Sequence, residues 1–180
     1  AAFFNQLNIP SPDINLGVKD ASNVQQIAQV LQKFEPIVLR EKPHAILVVG
    51  DVNSTLACSM VAAYHKIKII HVEAGLRSFD LSMPEEINRV LTDHMSNFLF
   101  CPTKTALSNL ANEGISQGIY HTGDVMYDAT LFAINSIKNN KDLERKFNTI
   151  TDDFVLLTIH RAESTQNTEI FQNILNYVIH

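Results

Sequence analysis

This sequence predicts an α/β fold, a doubly wound parallel sheet of Rossmann-like type, on three observations. Short apolar runs at Ile46 to Val49, Ile67 to Val72, Phe98 to Phe100 and Ile119 to His121 alternate with longer stretches of helical periodicity. Two of these runs lead into a Gly-Asp turn, Gly50-Asp51 and Gly123-Asp124, and another ends at Glu73. The spacing between runs fits a single helix, and a strand–helix–strand crossover of that length makes its two strands parallel neighbours.

Taken in order, AAFFNQLNIP opens like the end of an amphipathic helix and lacks a starting Met, so the chain is expected to begin within a fold. Pro10-Ser11-Pro12 breaks that pattern, and Ile14, Leu16 and Val18 alternate as a short extended segment. Ser22 can cap a long helix with Ile27, Val30, Leu31, Phe34 and Val38 on one face and Pro36 inside it; Lys42-Pro43 ends it. After the first strand, Asn53 or Ser54 can cap a helix whose face is Leu56, Met60, Ala63 and Tyr64. Pro84 opens another helix, with Ile87, Val90, Leu91, His94 and Met95 expected against the sheet. Thr103 caps a helix through Leu107 and Leu110 that stops at Gly114, and Met126 to Ile137 is helical again. The polar stretch Lys138 to Asp142, a helical Leu143 to Phe147 and Thr151-Asp152-Asp153 mark a boundary. Phe154 to Ile159 then reads as a strand ending at His160-Arg161, followed by a helix capped from Ser164, Thr165 or Asn167 that is cut short at His180. The expected organisation is a partial Rossmann-like domain over 1–137, a linker over 138–152, and the start of a second nucleotide-binding domain over 153–180, the whole being an internal fragment.

At 180 residues the chain can bury a sizeable core. Its net charge of -5, with scattered Lys and Arg, gives no footprint for nucleic acid or anionic membrane. No apolar run approaches the ~20 residues of a spanning helix and no secretory leader pattern opens the chain, so a cytoplasmic protein is expected. Cys58 and Cys101 read as buried reduced thiols rather than a disulfide or a zinc site.

The chemistry concentrates at strand ends. Adjacent parallel strands lie about 4.8 Å apart, so Asp51 and Glu73 should look into the crevice where open α/β sheets bind ligands, with Glu85 arriving from the first turn of the Pro84 helix. Each has a plainer reading. A Gly-Asp after a strand can simply cap the next helix, and Glu85 and Glu86 complement a helix dipole at about 0.3 to 1 kcal/mol. Three acids together with Arg77 and Arg89 in one crevice exceed that account, and acids held close raise one another's pKa, which suits acid and base work. His71, His94 and His121 read as satisfied core histidines, while His160 ends a strand beside Arg161 where a second domain would face the first. Gly75 and Gly123 read as backbone requirements, since no GxGxxG or Walker pattern is present.

The segments GDVNSTLA from Gly50, HVEAGLRSFDLSMPEEINRVLTDH from His71, FCPT from Phe100, TGDVMYDA from Thr122 and TIHRAES from Thr158 resemble, in order and along essentially the whole chain, the non-hydrolysing UDP-N-acetylglucosamine 2-epimerases. The resemblance implies a GT-B arrangement of two Rossmann-like domains with the nucleotide sugar between them. It implies an isomerase that inverts C2, interconverting UDP-GlcNAc and UDP-ManNAc for surface polysaccharide biosynthesis by eliminating UDP to a 2-acetamidoglucal and adding it back, without NAD or metal. On matching positions Asp51, Glu73 and Glu85 take the catalytic carboxylate roles, His160 the histidine facing them, and Glu86, Arg89 and Arg161 contacts to substrate or effector. A homodimer is implied for the full-length parent, and activity of the 180 residues alone is not expected. Alternatives are an epimerase of UDP-2,3-diacetamido-glucuronate, a GT-B glycosyltransferase, and an inactive nucleotide-sugar-binding fragment.

Overall fold

The structure, a computed structural model, describes residues 9–19, 21–138, 154–159, 162–165 and 167–179. It divides into two compact units, Ala1–Ala133 and Ile134–His180. The expected opening helix, the helix at 143–147, the boundary at 151–153, and His160 with Arg161 lie outside the described residues.

In the first unit, helix α1 (Asn23–Glu41) starts on a capping box, in which the Ser22 hydroxyl accepts from the Gln25 N–H at 3.3 Å and the Ser22 N–H donates to Gln25 Oε1 at 3.2 Å. Its predicted apolar face is the one turned inward, with Val30 and Val38 buried. Residues 9–19 before it form no strand. Strands β1 (Ala45–Val49), β2 (Lys68–Val72), β3 (Phe98–Cys101) and β4 (Ile119–His121) follow, all parallel and adjacent in sequence order. The register pairs Val48 with His71 and His71 with Leu99, so Ile46, Val48, Ile69, His71, Leu99 and Cys101 share one sheet face. On that face lie α1, α2 (Asn53–Tyr64) and α4 (Lys104–Asn112), their Val38, Val61, Ala62, Ala106 and Leu110 buried in the core. Right-handed crossovers that advance in one direction put their helices on the same side. The opposite face carries Leu47, Val49, Phe98 and Tyr120, all of them exposed.

Three elements differ from expectation. Helix α2 starts after Val52 without a side-chain hydrogen bond at its cap: Asn53 is already its first residue, its Oδ1 accepts from Asn88 Nδ2 at 3.1 Å, and its amide donates to Asn23 Oδ1 at 3.0 Å and Gln26 Oε1 at 2.8 Å. Ala63 and Tyr64 of its expected face are exposed, while Thr55, Leu56, Ala57, Ser59, Val61 and Ala62 are buried, since α2 packs against α1 on one side and against α3 (Pro84–Met95) on the other as well as on the sheet. Helix α3 is rotated from the expected face: Met95 packs partly buried against the core and Val90 is half-buried, but Ile87, Leu91 and His94 are exposed while Glu86, Asn88, Thr92 and Asp93 are buried. Phe154 to Ile159 forms no strand, because a strand exists through its ladder and this apolar run pairs with no neighbour among the described residues.

Thr103 caps α4 as expected, accepting from the Ala106 N–H at 3.1 Å, and α5 (Val125–Lys138) follows β4. In the second unit a short α6 (Ala162–Thr165) precedes α7 (Thr168–Ile179), whose first N–H groups at Glu169 and Ile170 are capped by Asn167 Oδ1 at 3.0 and 3.2 Å. Of the three histidines expected in the core only His71 is there. His94 pairs with Glu113 at the surface and His121 is exposed. Both cysteines are free, with burial pushing each thiol up to about 11.

Candidate active site

The site is built at the carboxyl ends of β1 and β2. The β1 chain passes through Gly50, whose φ of +68° turns it out of the sheet, and the Thr55 hydroxyl donates to the Val49 carbonyl at 2.8 Å, fixing the turn that carries Asp51. The end of β2 is more unusual. The N–H groups of Glu73 and Ala74 both donate to the Phe100 carbonyl, at 3.1 and 3.0 Å. Consecutive N–H groups of an extended strand point in opposite directions, so sharing one acceptor requires the residue between them to leave the β region. Glu73 does so, at φ +74°, a left-handed conformation that few non-glycine residues adopt. Its Oε2 lies 3.4 Å from where a Cβ on Gly50 would stand, which puts the carboxyl directly beside the Asp51 turn.

Glu73 titrates above the ordinary glutamate range. Burial is the largest cause, followed by the charges of Asp51 and Asp124, with His71 and Arg89 pulling the other way. Asp124, in the turn after β4, is thus a further acid of the crevice that the sequence reading passed over as a turn residue. Asp51 accepts a charge-assisted hydrogen bond from Arg89 Nη2, and Arg89 Nη1 lies 3.4 Å from Glu86 Oε2. The Arg89 Nε, buried, has no partner among the described residues.

Glu85 is exposed and shares with Asp51 a cavity of about 560 Å³, also lined by Asn15, Gln26, Asn53 and Asn88. Asp51 is therefore the common member, close to Glu73 on one strand end and to Glu85 through the cavity. The amide of Asn88 ties the two walls, donating to the Asp51 carbonyl at 2.9 Å and to Asn53 Oδ1 at 3.1 Å. Glu86 behaves differently from its neighbour. It is 1% exposed, and its two oxygens accept from the N–H groups of Ser78 and Phe79 at 2.9 Å each, bonds that offset its burial and hold its carboxyl below the usual range.

Sequence reasoning missed the buried network behind these acids. His71, fully buried, meets Asp93 Oδ1 through Nδ1 at 2.7 Å and the Gly50 carbonyl through Nε2 at 2.9 Å. Asp93 Oδ2 accepts from the Gly75 N–H at 3.0 Å and from Arg77 Nη1 at 2.7 Å, and Arg77 forms a two-pronged pair with Glu113 at 2.6 and 2.7 Å. The available signal was the polar stripe Glu86, Arg89, Asp93 at three- and four-residue spacing on α3. Gly75 belongs to this network for a steric reason: a Cβ there would stand 2.5 Å from the Ala106 carbonyl oxygen, at φ +79°. Among the described residues no group of three or more His, Cys, Asp or Glu side chains is placed to hold a metal ion, and no helix is long and apolar enough to cross a membrane.

Comparison with known proteins agrees with this architecture. The family model described as UDP-N-acetylglucosamine 2-epimerase matches residues 1–180. A UDP-N-acetylglucosamine 2-epimerase homolog of Methanococcus maripaludis is 51% identical over 178 residues, covering 98% of this chain and 50% of that protein. The UDP-2,3-diacetamido-2,3-dideoxy-D-glucuronate 2-epimerase of Pseudomonas aeruginosa is 45% identical over 92% of this chain and 46% of its own length. The crystal structure of the Methanocaldococcus jannaschii UDP-GlcNAc 2-epimerase in complex with UDP-GlcNAc and UDP superposes with a TM-score of 0.91 at 45% identity, over 98% of this chain and 49% of that one. The chain spans about half the length of the curated relatives it matches. With its parallel Rossmann-like sheet, its acids at adjacent strand ends and a family match along its whole length, the chain belongs to the non-hydrolysing UDP-N-acetylglucosamine 2-epimerase family.

Proposed function

We propose that the protein carrying this chain interconverts UDP-GlcNAc and UDP-ManNAc by inverting C2 of the sugar. The observation that carries this reading is the meeting of Asp51 and Glu73 on adjacent strand ends, with Glu73 held above the ordinary carboxylate range. In the reaction the C2 proton leaves to a carboxylate while the C1–O bond to UDP breaks, giving a 2-acetamidoglucal. Return of UDP to C1 with a proton delivered to the other face of C2 gives the epimer. The C2 proton is weakly acidic, and a carboxylate of raised pKa is a better match for its transfer than an ordinary one. Asp51, hydrogen-bonded by Arg89, and Glu85 across the cavity supply the remaining carboxylates. His160 and Arg161 are assigned to the departing diphosphate, where a cationic clamp stabilises developing charge. Arg89 is assigned to substrate contact, and Glu86 acts there through the loop at Ser78 and Phe79, which it anchors.

The domain division at 137/138 with a linker to 152, a cytoplasmic location and a homodimeric parent belong to the same proposal. The test is to incubate the full-length protein with UDP-GlcNAc in deuterated water and follow C2 by NMR. Deuterium at C2 of both epimers is expected, and product without solvent deuterium at C2 refutes the mechanism. The likeness to the diacetamido-glucuronate epimerase supports a second reading of the same chemistry on that sugar. Turnover of the two nucleotide sugars side by side decides between them.

A further inference from the structure

The His71–Asp93 pair has a geometry that a buried ion pair serving stability alone does not need. The Gly50 carbonyl can only accept, so His71 Nε2 carries a proton. Asp93 already receives the Gly75 N–H and the Arg77 guanidinium on Oδ2, which leaves Oδ1 to accept from His71 Nδ1. The ring thus faces an acceptor at each nitrogen, fully buried near the end of β2 and two residues before Glu73. A buried ion pair is a weak stabiliser compared with apolar packing. What this one supplies is direction, because its outer ends terminate on the backbone of the two turns that carry the acids.

We propose that His71 and Asp93 form the positioning device of the crevice, His71 holding the Asp51 turn through the Gly50 carbonyl and Asp93 holding the turn after Glu73 through the Gly75 N–H. For the identity of the reaction this rests on the epimerase reading; for its geometry it does not. Neither residue touches the reacting atoms. Their action is to fix the separation of two carboxylates and to place one positive charge behind them. That charge acts on Glu73 together with Arg89 on α3 and against the charges of Asp51 and Asp124, while Asp93 on α3, Arg77 in the loop between and Cys101 on β3 near Asp93 surround the pair. Because His71 lowers the Glu73 pKa, its removal lets Glu73 rise further and shrinks the ionised fraction at a given pH.

The experiment uses the full-length protein with 15N-labelled histidine. In the wild type both His71 ring nitrogens are expected to be protonated at neutral pH, and in Asp93→Asn at least one loses its proton. In His71→Gln, kcat is expected to fall about 100-fold, the scale of a small misplacement of reacting groups, with a smaller change in KM. The acid limb of its pH profile should move to higher pH, a shift that a purely structural role would not produce. A bare ring nitrogen in the wild type overturns the proposal, and so does a folded His71→Gln with the wild-type kcat and acid limb. Since the ring measurement needs no variant, a His71→Gln that fails to fold leaves the decision with it. A doubly protonated ring in a protein that does not epimerise either nucleotide sugar overturns the functional reading while supporting the positioning one.

Discussion

Glu73 is held at φ +74°, and the structure implies that the fold would be more stable with glycine there. A non-glycine residue in the left-handed region costs about 1 to 2 kcal/mol through the approach of its Cβ to the backbone. Glycine removes that cost and gives back about 0.5 to 1 kcal/mol through the greater freedom of its unfolded chain. The carboxyl makes no side-chain hydrogen bond among the described residues, so little else is lost. Glu73→Gly should therefore exceed Glu73→Gln in stability by about 1 kcal/mol, or about 2 to 4 °C in Tm for a protein of this size. Glu73→Val should fall below both, since a β-branched side chain tolerates this region least. Both Glu73→Gly and Glu73→Gln should lose turnover, as expected where strain is kept at a working site. Thermal melts of the three variants, read beside turnover, make the comparison. A Glu73→Gly protein no more stable than Glu73→Gln would refute the claim that the shared Phe100 carbonyl forces the left-handed turn.

The pH dependence of the same residue has a definite sign: with its folded pKa raised, the wild type should lose stability relative to Glu73→Gln as pH rises from the ordinary glutamate value through the folded one, seen in urea melts across that range. Arg77→Met takes from the fully buried Asp93 one of its two cationic partners, leaving His71 alone, and should cost about 3 kcal/mol in chemical denaturation. A loss under about 1 kcal/mol would mean that Asp93 is satisfied without it. Gly75→Ala drives a Cβ into the Ala106 carbonyl at φ +79° and should cost about 2 kcal/mol or more, so an unchanged melt would contradict the packing of that turn. Val52→Ser supplies the side-chain cap that α2 lacks and should raise stability by about 1 kcal/mol in the same urea melts, where an unchanged midpoint would count against a free cap position.

What was legible in the sequence was what is decided locally. The alternation of apolar runs and helical stretches, the caps at Ser22, Thr103 and Asn167, and the placement of Asp51 and Glu73 at strand ends depend on near neighbours in the chain, and the structure has them. Only the tertiary structure decided which face of α3 goes inside. Hydropathy ranks side chains by their preference for water, but that preference is offset where buried polar groups find partners. Glu86 finds the Ser78 and Phe79 amides, Asn88 the Asp51 carbonyl and Asp93 the His71 ring, so the polar face is buried while Ile87 and Leu91 stay outside. Glu73 is the same lesson in the backbone: no local propensity places a glutamate at φ +74°, and it is held there because Phe100, on the neighbouring strand, offers one carbonyl to two successive N–H groups. The apolar run from Phe154 to Ile159 shows the converse, since a strand is made by its neighbours and a sequence supplies only its willingness to pair.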